Sequence, residues 1–246
     1  MVGFAAAADK GMLPIRAWFP YDVTKHPNYE ITYTYQILAL SVDAFLNVST
    51  DTLVSSLMAQ VRCRFQLLGL SLRNLCQGIR INEPLLASDQ VVIVKDRLRL
   101  CVEQHCATLE AAQKLQDYFS FPTFMQLSVS LLIICVTAYQ MNAVIGKPMA
   151  FIGVAAYLLD MMLQVFLYCY QGSMLSEESI AIADAAYECP WYVMPVPLRR
   201  SLLIMMTRTR RVAKFTAEGL TTLSLSCFMG VIKTSYSMFS ILQGME

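Results

Sequence analysis

The sequence predicts an all-α membrane protein with four transmembrane helices and long cytoplasmic helical extensions, and three observations carry that expectation. Residues 118–146, YFSFPTFMQLSVSLLIICVTAYQMNAVIG, contain no charged side chain. Such a run exceeds the roughly 20 residues needed to cross a hydrocarbon core about 30 Å thick. The chain of 246 residues is 56% apolar and only 15% charged, against roughly 45 to 50% and about 25% in soluble domains. Its basic residues also fall heavily on one side of the predicted spans, as the positive-inside rule requires of a multi-pass protein.

Residues 1–29 read as an extracellular loop. The N-terminal MVGFAAAADKGMLP has no positively charged leading region and too short an apolar core for a secretory signal, so targeting is expected to come from a span. The first span, 31–59, carries Asp43 and Asp51, and the region 30–76 has one Gly and no Pro. Drawn as one helix it would be roughly 70 Å long at 1.5 Å per residue. Residues 62–114 form the first predicted cytoplasmic extension, with 91–120 free of Gly and Pro. The charge-free run is the second span. Residues 148–176, with Asp160 as the only charge, are the third. Transmembrane helices one to three with their extensions therefore occupy 30–170. Residues 171–214 follow as a cytoplasmic loop and anchor helix, and 215–246 as the last span, with Glu218 and Lys233 the charges within 215–245. Pro20, Pro27, Pro84, Pro148 and the cluster Pro190, Pro195 and Pro197 mark the junctions.

Alternating helices put residues 62–114 and 171–214 on one side. That side holds Arg62, Arg64, Arg73, Arg80, Lys95, Arg97, Arg99, Lys114, Arg199, Arg200, Arg208, Arg210, Arg211 and Lys214, against Lys10, Arg16, Lys25 and Lys147 on the other. The asymmetry places both ends outside. Cys63, Cys76, Cys101, Cys106, Cys135, Cys169, Cys189 and Cys227 all fall in spans or on the cytoplasmic side, where disulfides are not expected. A net charge of +1, without a basic block or a basic and aromatic stripe, argues against nucleic acid as a partner.

Three constellations bear on chemistry. Asp43, Asn47 and Asp51 recur every four residues and form one polar stripe on a helix. The stripe suits either a functional intramembrane site or a hydrogen-bonded seam between helices. In CVEQHC, Cys101, His105 and Cys106 lack a second ligand cluster, so neither a metal nor a cofactor is expected. No nucleophile elbow, P-loop, HExxH or Gly-rich dinucleotide turn is present, and the chain is not expected to be an enzyme. Tyr33, Tyr35, Phe45, Phe124, Tyr139, Phe151, Tyr157 and Phe166 lie along the spans. Those in the outer halves suit an apolar pocket for a small hydrophobic ligand, or ordinary packing and interfacial positions.

Residues 171–195, QGSMLSEESIAIADAAYECPWYVMP, join an acidic, Ser-rich turn to Ala-Ala-Tyr and Pro-Trp-Tyr. Later, FTAEGLTTLSLSCFMGVIKTSYSMFSILQ carries a Leu-Ser-Leu run and Ser-Tyr-Ser, and LPIRAWFPYDVTKHPNYEITYTYQ precedes the first span. Taken in chain order, with LPIRAWFPYDVTKHPNYEITYTYQ first, these three stretches resemble insect odorant receptors around the second outer loop, the segment before the last helix, and the last helix. The resemblance implies a partial version of a seven-helix receptor, covering helices four to seven, with helices one to three absent. It also implies an odorant-gated, non-selective cation channel, in the plasma membrane of olfactory sensory neurons. The expected partners are an odorant co-receptor subunit in a hetero-tetramer, a small volatile hydrophobic ligand and the lipid membrane. A gustatory receptor fragment, or a transporter or enzyme using intramembrane carboxylates, is the alternative; Pro-Trp-Tyr and Ser-Tyr-Ser favour the odorant receptor.

Under that resemblance the ligand pocket involves Tyr33, Ile37, Leu40, Tyr139, Phe151 and Tyr157, where apolar and aromatic surface lies at the right depth. The last helix resembles the one that lines the pore. Lys233, Thr234, Ser235, Ser237 and Ser240 are many polar groups for a lipid-facing helix. Tyr236, Phe239 and Gln243 are the expected pore residues, with Phe239 either forming an apolar constriction or packing against a neighbouring helix.

Overall fold

The structure, a computed structural model, describes residues 13, 15, 17–22, 25–79, 86, 88–144 and 148–243, with residues 88, 142, 143, 242 and 243 described by their backbone alone. Lys10, Arg16, Arg80, Pro84, Lys147 and Glu246, and the side chain of Gln243, lie outside the described residues. The fold is helical: α1 spans Asn28–Arg73, α2 Ser88–Ala143, α3 Pro148–Glu188, α4 Val196–Thr209 and α5 Leu225–Gln243. A 3-10 turn at Trp191–Val193 precedes α4, and a two-stranded hairpin, β1 (Thr216–Ala217) and β2 (Thr221–Thr222), separates α4 from α5. Among the described residues, three helices are long and apolar enough to cross a membrane, namely α1, α2 and α3. The all-α membrane class expected from the sequence is the class observed.

The helices follow from local chemistry. Glu30 and Asp89 sit in the first turns of α1 and α2, and Arg73 in the last turn of α1, signs that complement the helix dipole. The 56 residues of α2 run on through Pro122, where the ring removes one N–H but leaves the helix unbroken. Pro195 is the N-cap of α4 and Pro197 its second residue, positions at which a missing N–H costs little. Arg199 ties this junction down by donating to the carbonyls of Met194 and Tyr192, each at 2.6 Å.

Two compact units divide the chain. The first comprises residues 1–54, 126–167 and 228–246, and the second 55–125 and 168–227. In the first unit the middle of α1 is uncovered: every residue from Ser41 to Thr50 is exposed, Phe45 and Leu46 among them. Residues Thr32 and Gln36 are buried nearby. The Gln36 side chain donates to the Ile15 carbonyl and accepts from its N–H, both at 3.0 Å, and Tyr21 shares a 2.8 Å hydrogen bond with the Thr32 hydroxyl.

The second unit holds the tighter core. Met58, Val61, Phe65, Leu68 and Leu72 recur at helical spacing on α1 and are buried. They are joined by Val94, Leu98 and Cys101 of α2, Leu175 and Ile182 of α3, and Leu198, Leu202 and Met205 of α4. Gln66 donates to Glu178, and Arg73 pairs with Glu188 at 2.6 Å. At Gly69 an added Cβ would lie 3.7 Å from Ala185 Cβ, an ordinary contact. Gly172 is different: a Cβ there would stand 2.6 Å from both the Cβ and the carbonyl oxygen of Leu223.

The hairpin differs from the sequence expectation, which began the last span at 215. Helix α5 starts at Leu225 because Glu218 and Gly219 adopt φ of 50° and 68°, left-handed values that close a tight turn and cannot continue a helix. The Leu220 N–H donates to the Ala217 carbonyl at 3.0 Å across that turn.

Candidate functional site

Three surfaces in the first unit bear on the functional expectations. On α1, Tyr33, Ile37 and Leu40 stand at i, i+4 and i+7 and share one half-buried face, while Tyr35, Leu38 and Val42 occupy the exposed face. The Tyr33 ring lies 6.0 Å from that of Tyr29, nearly parallel. Tyr139 of α2 and Tyr157 of α3 are half-buried as well, whereas Phe151, near the start of α3, is 40% exposed. The six residues thus lie in one unit, on three helices. Two concavities lie on other surfaces. One of about 440 Å³ runs along the outer face of α1 from Tyr35 to Leu46. The other, of about 320 Å³, belongs to the second unit and is lined by Phe65, Gly69, Arg73, Glu178 and Ala185 among others.

A second surface is the polar stripe of α1. Gln164 of α3 donates its amide to Asn47 at 3.4 Å and to the Asp51 carboxylate. Gln164 therefore bridges two of the three stripe residues from another helix, Asp51 half-buried and Asn47 exposed. Asp43 and Asp160 are exposed. Sequence reasoning found the stripe but not its partner, since a lone glutamine on another helix carries no periodic signal.

The third surface is α5. Ser235 is buried, and the Cys135 thiol points at its carbonyl from 3.9 Å. Phe228, Val231 and Phe239 share that inward side and are half-buried, with Phe228 meeting Phe166 edge-on at 5.4 Å. Lys233, Tyr236, Ser237 and Ser240 line the other side and are exposed, Tyr236 by 70%. Tyr236 and Phe239 are thus about 60° apart on the helix, one outward and one partly inward.

In the second unit CVEQHC is structural in character. Cys101 and His105 are buried while Cys106 is exposed, and among the described residues no group of three or more His, Cys, Asp or Glu is placed to hold a metal. Burial, and then the nearby Arg208 guanidinium, hold the His105 imidazole below its usual pKa. Burial pushes the Cys101 thiol up. On α4, Leu198, Leu202, Met205 and Thr209 are buried, and Arg200, Leu203, Ile204, Arg208 and Arg210 are exposed.

Residues 3–236 match the model of the family described as 7tm Odorant receptor. The chain belongs to this family. The odorant receptor chain is 26% identical over 253 residues to Odorant receptor Or1 of Anopheles gambiae, covering 95% of this chain and 60% of that protein. It is 27% identical over 235 residues to Odorant receptor 82a of Drosophila melanogaster, covering 95% of this chain and 58% of that one. Its fold superposes on the insect olfactory receptor OR5 of Machilis hrabei, solved in complex with eugenol, with a TM-score of 0.82 at 19% identity. That superposition covers 100% of this chain and 61% of OR5. The odorant receptor chain therefore spans about six-tenths of the length of these relatives. It is a multi-pass membrane protein of a receptor family, not of an enzyme family, which removes the enzyme alternative built on Asp43, Asp51 and Asp160.

Proposed function

We propose that the chain supplies the outer loop and the last four helices of an odorant-gated, non-selective cation channel subunit, which assembles as a hetero-tetramer with an odorant co-receptor. Its place is the plasma membrane of olfactory sensory neurons. In this reading α5 is the fourth span and lines the pore, the segments 62–114 and 171–214 are cytoplasmic, and both ends lie outside. The observation that carries it is the face of α5 with Lys233, Tyr236, Ser237 and Ser240 left exposed. A helix of 19 residues with that much uncovered polarity is poorly suited to lipid and well suited to water or to a second subunit. Tyr236 lies on that face and Phe239 flanks it from the inward side, while Gln243 follows two helical turns after Tyr236 in the sequence. The exposed Leu203 and Ile204 among the arginines of α4 support a role for that helix in assembly.

A small volatile hydrophobic ligand is assigned to the half-buried face of Tyr33, Ile37 and Leu40 with Tyr139, Phe151 and Tyr157, the tyrosine hydroxyls giving the few polar contacts such a pocket needs. Alanine at Tyr139 and at Tyr157 should each shift odorant potency by roughly tenfold, the worth of a buried aromatic contact of about 1.4 kcal/mol. Surface expression should be unchanged. Dose-response curves of both variants that overlay wild type would reject the pocket.

A further inference from the structure

The hairpin between α4 and α5 is held by side chains of another helix. In a two-stranded ribbon one edge of each strand lacks a backbone partner. Here Leu223 donates to the Phe215 carbonyl at 2.9 Å, and Thr216 pairs opposite Thr222 in the register, so the polar groups of Thr216 point away from β2. Two residues of α2, one turn apart, meet them. Gln116 accepts the Thr216 N–H at 2.7 Å, and donates to the Thr216 carbonyl at 2.7 Å and to its hydroxyl at 2.8 Å. Ser120 donates to the same carbonyl at 3.0 Å and accepts the Glu218 N–H at 2.8 Å. Gln116 and Ser120 thus stand in for a third strand.

Three further features fix the hairpin in place. Phe215, Ala217 and Leu223 are buried almost completely. Gly172 leaves room for the Leu223 backbone and no more. Glu218, a residue with a Cβ, is kept at a φ of 50°, a conformation that persists only where the surroundings impose it. The last strand residue, Thr222, is three residues from Leu225, the start of α5. Covalent continuity therefore makes the hairpin the mount on which α5 begins.

We propose that Gln116 and Ser120 are positioning residues for gating: by clamping Thr216 and Glu218 they fix the base of α5, so that loosening the clamp shifts the balance between closed and open channel. The inference rests on the pore-lining reading of α5. Gln116 touches neither ligand nor pore in this account and acts through the hairpin alone.

The test uses the receptor carrying this chain, expressed with its co-receptor, in two measurements. Hydrogen exchange of the purified complex reads the Thr216 and Glu218 amides. Whole-cell recording reads the ligand-free current and the odorant response. Gln116→Met, which removes acceptor and donors while keeping length, should speed exchange at Thr216 by about tenfold and raise the ligand-free fraction of maximal current by about threefold or more. Gln116→Glu keeps the acceptor and should keep Thr216 protected, with resting current between the two. Ser120→Ala, a smaller change that guards against misfolding, should speed exchange at Glu218 and move the resting current in the same direction. Faster exchange with wild-type resting current and dose-response would overturn the gating role, and unchanged exchange would overturn the clamp itself. Wild-type complex with protected amides but no odorant-evoked current would instead defeat the channel reading, and the gating role with it, while leaving the hydrogen bonds standing.

Discussion

Gly172→Ala is expected to cost about 3 kcal/mol or more, at the upper end of what overpacking a tight contact costs. The new methyl group would meet Leu223 Cβ and its carbonyl oxygen at 2.6 Å, with the carbonyl carbon at 3.1 Å. Real Cβ contacts do not come that close, and two of the three obstructing atoms are backbone. No rotamer of Leu223 relieves the contact, so α3 and the hairpin must separate. Two measurements check this: the thermal unfolding midpoint of the detergent-solubilised protein, and surface expression. Both should fall sharply, and Leu223→Gly should fail to rescue them because the carbonyl oxygen remains. Gly69→Ala is the control, since its Cβ finds neighbours at 3.7 and 3.8 Å. A Gly172→Ala protein that melts with wild type would refute the close approach.

A comparable loss is expected from Phe65→Ala, about 3 to 5 kcal/mol for deleting a large buried ring. Phe65 is fully buried in the second unit, within the stripe from Met58 to Leu72. Phe45, on the same helix twenty residues earlier, is 76% exposed in the first unit. In detergent, Phe45→Ala should stay within about 0.5 kcal/mol of wild type, as surface substitutions do. Unfolding midpoints for the pair give the comparison directly. Equal losses at both positions would contradict the division of α1 into an uncovered stretch and a packed stretch.

Composition and charge made the class legible. Residues 118–143 of the uncharged run form the later part of α2, and the nearly uncharged run at 148–176 forms most of α3. Motifs made the family legible, since Ala-Ala-Tyr, Pro-Trp-Tyr and Ser-Tyr-Ser sit in order along a chain whose family match covers 3–236. What stayed hidden depended on distant neighbours. FTAEGLTTLSLS carries a single charge, Glu218, and leucines that lead into the apolar run after it, so it reads as the start of a span, and only Gly219 hints at the turn. The partners that hold this hairpin, Gln116 and Ser120, lie about 100 residues earlier. Nothing local marks Gly172 as a close approach. In α5 the helical period places Tyr236 and Phe239 about 60° apart, but which faces inward depends on Phe166 and Cys135 of other helices. The alternative in which Phe239 packs against a neighbour was open in the sequence, and its half-burial favours that alternative without removing it from the flank of the proposed pore face.

In the proposed function this chain is part of a ligand-gated cation channel. Whole-cell recording from cells expressing the receptor carrying this chain with the odorant co-receptor tests it most directly, using a panel of small volatile hydrophobic compounds and exchanging sodium for potassium in the bath. A non-selective channel that includes this chain should give an odorant-evoked inward current that needs the chain and whose reversal potential hardly moves on the exchange. A current identical with and without this chain, or none at all when both subunits are at the cell surface, would contradict it.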